Sequence, residues 1–182
     1  MAQKDYKLEV VNSLLQEPCH PRRIASKLGT NPMLITRKIH ELEMENVVDY
    51  NQRGRNKIYF LKKTSEARAA ASMAENYKLM KTLERYPALR KVIEAIQKNP
   101  DINLALLFGS YAKGNASKDS DIDIYVESKD VNLRKNLRLL DSKLSLKIGA
   151  YEREAPLIKE IEKNHVAVKG VERFFEKNRF FE

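Results

Sequence analysis

Two short apolar runs joined through a glycine–serine turn place the tightest limit on how this chain can fold. The first run, Ile102, Leu104, Ala105, Leu106, Leu107 and Phe108, stops at Gly109-Ser110. Residues 111 to 120 are polar and turn-rich, and a second apolar run then carries Asp121 and Asp123. Residues i and i+2 of a strand project from one face, so the two carboxylates stand side by side. Such repulsion is tolerated when a hard divalent cation neutralises it and a substrate phosphate completes the cation's shell. Gly109-Ser110 adds a backbone free to approach a phosphate and amide groups at a helix start.

Gly-Ser, the residues 111 to 120, and then Asp121-Ile122-Asp123 resemble the signature of the DNA polymerase beta-like nucleotidyltransferases. The similarity is to their small prokaryotic branch, the minimal nucleotidyltransferases. Phe108, Lys113-Gly114 and Ser120 extend it, and it covers residues 86 to 182. The resemblance implies a nucleoside triphosphate substrate (ATP), Mg²⁺ or Mn²⁺, two-metal phosphoryl chemistry and release of pyrophosphate. Through it, Gly109, Ser110, Lys113 and Ser120 are assigned to the phosphates, and Asp121 and Asp123 to metal binding and catalysis. The product is an acceptor hydroxyl carrying AMP; the acceptor is a protein or a small molecule.

One feature departs from that pattern. Active members of the family place a third carboxylate on a later strand, where it binds metal and activates the attacking hydroxyl. The candidate strand is Lys143 to Gly149. Leu144, Leu146 and Ile148 occupy one face, and Ser145, Lys147 and Gly149 the other, with no acid among them. Asp141 precedes this strand; Glu152 and Glu154 follow it. If Lys147 takes the third position, the general base is missing.

Composition narrows the setting. A chain of 182 residues suits one large domain or two small ones, and its 42% hydrophobic content is enough for cores. No apolar run reaches the length of a membrane span, and the opening residues lack a secretion signal. Cys19 is the single cysteine, and His20, His40 and His165 lack ligand spacing. A reduced, cytoplasmic protein is expected. The net charge of +9 is uneven: +5 over residues 1–63, +3 over 64–100 and +1 over 101–182. A basic front half calls for an anionic partner, most often nucleic acid.

The front half also has a pattern of its own. Tyr6, Leu8, Val10, Val11, Leu14 and Leu15 suit an amphipathic helix ending near Pro18. Pro21 to Leu28 makes a second helix closed by Gly29, and Thr30 or Asn31 caps a third that starts at Pro32 with Ile35, Ile39 and Leu42 inward. Val47 to Tyr50 and Lys57 to Leu61 read as strands around a basic turn. Residues 5 to 63 resemble winged helix-turn-helix domains of the ArsR or MarR type. That likeness implies binding of double-stranded DNA, with the third helix in the major groove. It places Met33, Thr36, Arg37 and His40 toward bases and Lys38 near phosphate, with Arg53, Arg55 and Lys57 on a wing touching the backbone.

Between the two halves, Thr64 or Ser65 caps a helix carrying Ala67, Ala70, Ala71, Ala74, Tyr77, Met80 and Leu83. Related regulators pair through such a helix, so a homodimer is expected; packing of the stripe within its own domain is the rival. Pro87 starts a separate helix ending near Asn99-Pro100. Val131 to Leu140 and the segment from Pro156 read as further helices, and Val166 to Val168 as an edge strand. Phe174 and Phe175 read as core.

The expected fold is α+β in two domains. Residues 1–63 form the winged helix, 64–86 a linking or dimerising helix, and 87–182 a small mixed sheet with packed helices. Two functions follow. In one, a DNA-binding module directs a nucleotidyltransferase. In the other, a transcriptional regulator or antitoxin carries a nucleotidyltransferase domain that only senses nucleotide or holds a partner toxin.

Overall fold

Asp5, His20 and Asn31 each precede a helix, and each turns its side chain onto that helix's first free amides. The computed structural model describes residues 4–128, 133, 137 and 140–182. In it the Asp5 carboxylate accepts from the amides of Lys7 and Leu8, the His20 ring from Arg22, and the Asn31 side chain from Met33. These caps start α1 (Tyr6–Gln16), α2 (Pro21–Leu28) and α3 (Pro32–Met44), satisfying donors that a helix start leaves without partners. Gly29 closes α2 at φ 62°, the left-handed conformation that a glycine adopts without steric cost.

Two compact units divide the chain, Met1–Glu75 with Phe180–Glu182, and Asn76–Arg179. The division falls inside α4 (Ser65–Arg85), rather than at either end of the linking helix read from sequence. In the first unit, β1 (Val48–Arg53) and β2 (Asn56–Leu61) form an antiparallel hairpin whose turn passes through Gly54 at φ 59°. Cys19 and Tyr59 exchange backbone hydrogen bonds of 2.9 and 3.0 Å, tying the α1–α2 connection to β2. Val10, Val11, Leu14, Ile24, Ile35, Ile39 and Leu42 fill the core. Ala67, Ala71 and Ala74 of α4 are fully buried within the chain itself, whereas Met73 and Met80 are exposed.

In the second unit Pro87–Leu89 forms a 3₁₀ turn, so the helix expected from Pro87 begins at Arg90 as α5 (Arg90–Lys98). The four-residue strand β3 (Leu104–Leu107) is buried throughout and sits between β4 (Ile122–Glu127) and β6 (Val166–Lys169), antiparallel to both. The outer strand β5 (Leu144–Ile148) runs parallel to β4, giving a mixed sheet of order β5-β4-β3-β6. A parallel pair needs a crossover. The helix read over Val131 to Leu140 falls there and lies outside the described residues, apart from the buried helical Leu133 and Leu137 and the half-buried Leu140.

Both faces of this sheet are covered. Leu107, Ile124, Leu146 and Val166 share one cluster with Val92, Ile93 and Ile96 of α5. On the other face Tyr125 meets Tyr151 edge-on, and Tyr151 meets Phe174 of α8 (Val171–Asn178). The helix read from Pro156 is α7 (Pro156–Lys163), with Ile158 and Ile161 buried. Strand alternation puts Asp123 on the tyrosine face. No helix among the described residues is long and apolar enough to cross a membrane.

Glu127 ends β4 with its side chain 14% exposed, bonded by Arg173 and, at 2.7 Å, by Lys177. Burial alone would raise its carboxyl, but the two cations outweigh that and hold it below the ordinary carboxylate range. A depressed folded value means stability that is present above the unfolded value and lost as pH falls through the folded one. Glu127→Gln should therefore cost on the order of 1 kcal/mol at neutral pH, discounted for the 42% exposed Arg173. The gap to wild type should close in acid, as urea titrations at neutral and acidic pH would show.

Candidate active site

The buried β3 ends at Leu107, and Phe108 turns the chain into the short helix α6 (Gly109–Lys113). Phe108 donates its backbone N–H to the Asp123 carbonyl at 2.9 Å, fixing this turn to the start of β4. Gly109 has φ 67°. A Cβ built on it would lie 2.5 Å from Asp123 Oδ2 and 3.3 Å from Asp123 Cγ. The carboxylate therefore rests on bare glycine backbone. Any side chain there meets both the strain of left-handed backbone and a collision with the acid.

Asp121 lies immediately before β4 and is exposed, while Asp123 is half-buried within the strand. Among the described residues, no cation or hydrogen-bond donor engages either carboxylate. Ser120 orders the loop leading in, its Oγ accepting the Ser117 N–H at 2.9 Å. Lys113, expected at the phosphates, is directed to Glu160 of α7 at 3.7 Å. The structure thus joins Gly109 to Asp123, keeps Ser110 in the elbow and Ser120 in its loop, and turns Lys113 to another acid.

Parallel register pairs Asp123 with Ser145, and Tyr125 with Lys147. Ser145 is beside Asp123; the exposed Lys147 lies two pairs further along. Of the nearby acids, Glu154 is bonded by Lys159 at 2.6 Å and Asp141 accepts the Lys143 N–H at 2.9 Å. Glu152 and Glu127 lie near the Tyr125 hydroxyl, whose acidity is lowered by burial first and those charges second. Among the described residues, no group of three His, Cys, Asp or Glu side chains could hold a metal.

Two neighbours escaped the sequence reading. Arg85 reaches α6 where its guanidinium would sit 3.2 Å from a Cβ on Gly114, and Tyr86 meets Tyr111 edge-on at 4.9 Å. Nothing in the local pattern signals either, because α4 and α6 are separated along the chain. An open cleft of about 560 Å³ lies elsewhere, lined by Asn103, Glu127, Gly149 and Arg173 among others, and includes none of the elbow or paired acids.

The first unit places its predicted residues differently. Met33, Thr36, Arg37 and His40 share the exposed side of α3, and Met33 is 80% exposed. Lys38 turns along the helix to Glu41 at 2.7 Å. Arg53, Arg55 and Lys57 are exposed at the hairpin tip, Lys57 lying 3.8 Å over the Tyr50 ring.

The mixed sheet thus carries a glycine elbow packed against Asp123, with Asp121 immediately before the same strand. Residues 90–170 match the sequence model of the family described as polymerase beta, nucleotidyltransferase. The match spans the elbow, both acids and β3 to β6, and supports a nucleotidyltransferase domain in this part of the chain. That family generally uses a divalent metal ion and a nucleoside triphosphate. No curated protein matches the chain.

Proposed function

We propose that the second unit takes a nucleoside triphosphate, ATP in this reading, and passes its nucleoside monophosphate to an acceptor hydroxyl. One observation carries the proposal: the Asp123 carboxylate packs on the bare backbone of Gly109, inside the matched segment. Asp121 and Asp123 would hold Mg²⁺ or Mn²⁺, which when bound neutralises phosphate charge. Gly109 lets the chain approach the terminal phosphates, and the Ser110 hydroxyl can donate to them. The Ser117–Ser120 turn fixes the approach to Asp121. The acceptor oxygen bonds to the α-phosphorus as the bond to pyrophosphate breaks, and the hydroxyl proton passes to a base that the acceptor itself brings. Incubation with labelled ATP, Mg²⁺ and candidate acceptors tests this; pyrophosphate release without transferred label would exclude it.

The same reading makes the first unit a winged helix that binds double-stranded DNA, with self-association through α4 as a further part of it. Support comes from the exposed α3 side and the three cations at the hairpin tip. Arg37→Ala should cost about 1–3 kcal/mol on the preferred sequence and relax its preference, whereas Arg55→Ala should weaken all sequences alike and reduce the salt slope by about 1. Binding isotherms across salt concentrations check this; identical effects would contradict the two roles.

Ser145 beside Asp123 favours a second reading, in which nucleotide is bound but not transferred and the protein acts as a regulator or antitoxin. Retention of nucleotide with no transfer to any acceptor would select it.

A further inference from the structure

We infer that the acid pair accepts a single divalent cation together with its nucleotide, and that Ser145 keeps a second cation from binding. The inference rests on the nucleotide reading above and concerns this chain's own ligands. A small hard cation is satisfied by one or two carboxylates, substrate phosphates and water. Asp121 and Asp123 meet that need, since neither is engaged by a described side chain. Two cations set roughly 3.5–4 Å apart need further anionic ligands around the second.

The structure shows where such a ligand would have to come from. Ser145 is the direct partner of Asp123 across the parallel β4–β5 pair. Adjacent strands lie about 4.8 Å apart, so a carboxylate at that position could share a cation with Asp123. A neutral serine hydroxyl is a weak ligand for it and a poor base. Of the other acids near this strand, Glu154 is bonded to Lys159, Asp141 accepts the Lys143 amide, and Glu152 lies toward the Tyr125 hydroxyl, which donates to the Gly149 carbonyl at the far end of β5. Lys147, a cation, lies two pairs further along. The acceptor must then bring its own base, or present an oxygen already ionised.

The test counts ions directly. Mn²⁺ is titrated into the full chain with a non-hydrolysable ATP analogue, and bound ion is measured by electron paramagnetic resonance. Wild type and Ser145→Ala should each hold one Mn²⁺ per chain, and Ser145→Asp or Ser145→Glu two. The acidic pair of variants guards against one of them failing to fold on this outer strand. Two ions on wild type would overturn the inference, as would a folded acidic variant that still holds one. No ion and no analogue on wild type would instead defeat the nucleotide reading itself, and this inference with it.

Discussion

Gly170→Ala should be among the most destabilising single-methyl additions to the described residues, lowering stability by about 2–5 kcal/mol. Gly170 has φ 78°, and a Cβ there would lie 2.1 Å from the Asn103 carbonyl oxygen and 3.2 Å from Leu104 Cα. Both contacts are backbone, so no side chain can rotate aside. Leu104 and Ala105 are fully buried at the head of a central strand, and moving them would disturb β4 and β6 together. Gly29→Ala separates strain from collision, because Gly29 also has a positive φ but nothing within 4 Å. It should cost only about 1–2 kcal/mol. Chemical denaturation of both variants checks the difference; equal losses would show that the Gly170 contact carries no weight.

The largest functional effect is expected from Asp123→Ala, which should reduce nucleotidyl transfer by about 10³-fold or more, the order lost when a charge-stabilising group leaves a phosphoryl site. Stability should hold or rise slightly. Asp123 is half-buried, and no described side chain bonds its carboxylate, so its removal breaks no described hydrogen bond or ion pair. Loss of activity with an unchanged melting temperature is the signature of a group kept for chemistry at the expense of stability. Gly109→Ala should lose both, since its Cβ would strike Asp123 Oδ2. Transfer by Asp123→Ala within tenfold of wild type would remove the acid from the site.

Much of this was legible because the signals are local. The cap at Asn31 and the stripe Ile35, Ile39, Leu42 depend on residues a few positions apart. So does the strand that carries Asp123, and the glycine elbow stood out because few residues tolerate a positive φ. The family match over residues 90–170 agrees with the reading made from Gly109-Ser110 and Asp121-Ile122-Asp123. The alanines of α4 were visible as a stripe, but their burial inside the chain was not, because alanine suits contact with any close surface.

By itself the sequence determined which residues share a face, where helices begin, and that two acids stand beside a glycine turn. These follow from periodicity and from backbone sterics, which act over a few residues. Only the tertiary structure decided that Asp123 rests on Gly109, that Lys113 turns to Glu160, and that Ser145 is the neighbour of Asp123. Alternation fixes a strand's face but leaves its register free by steps of two. That freedom ends only when β5 is laid against β4 and the buried faces of both must coincide.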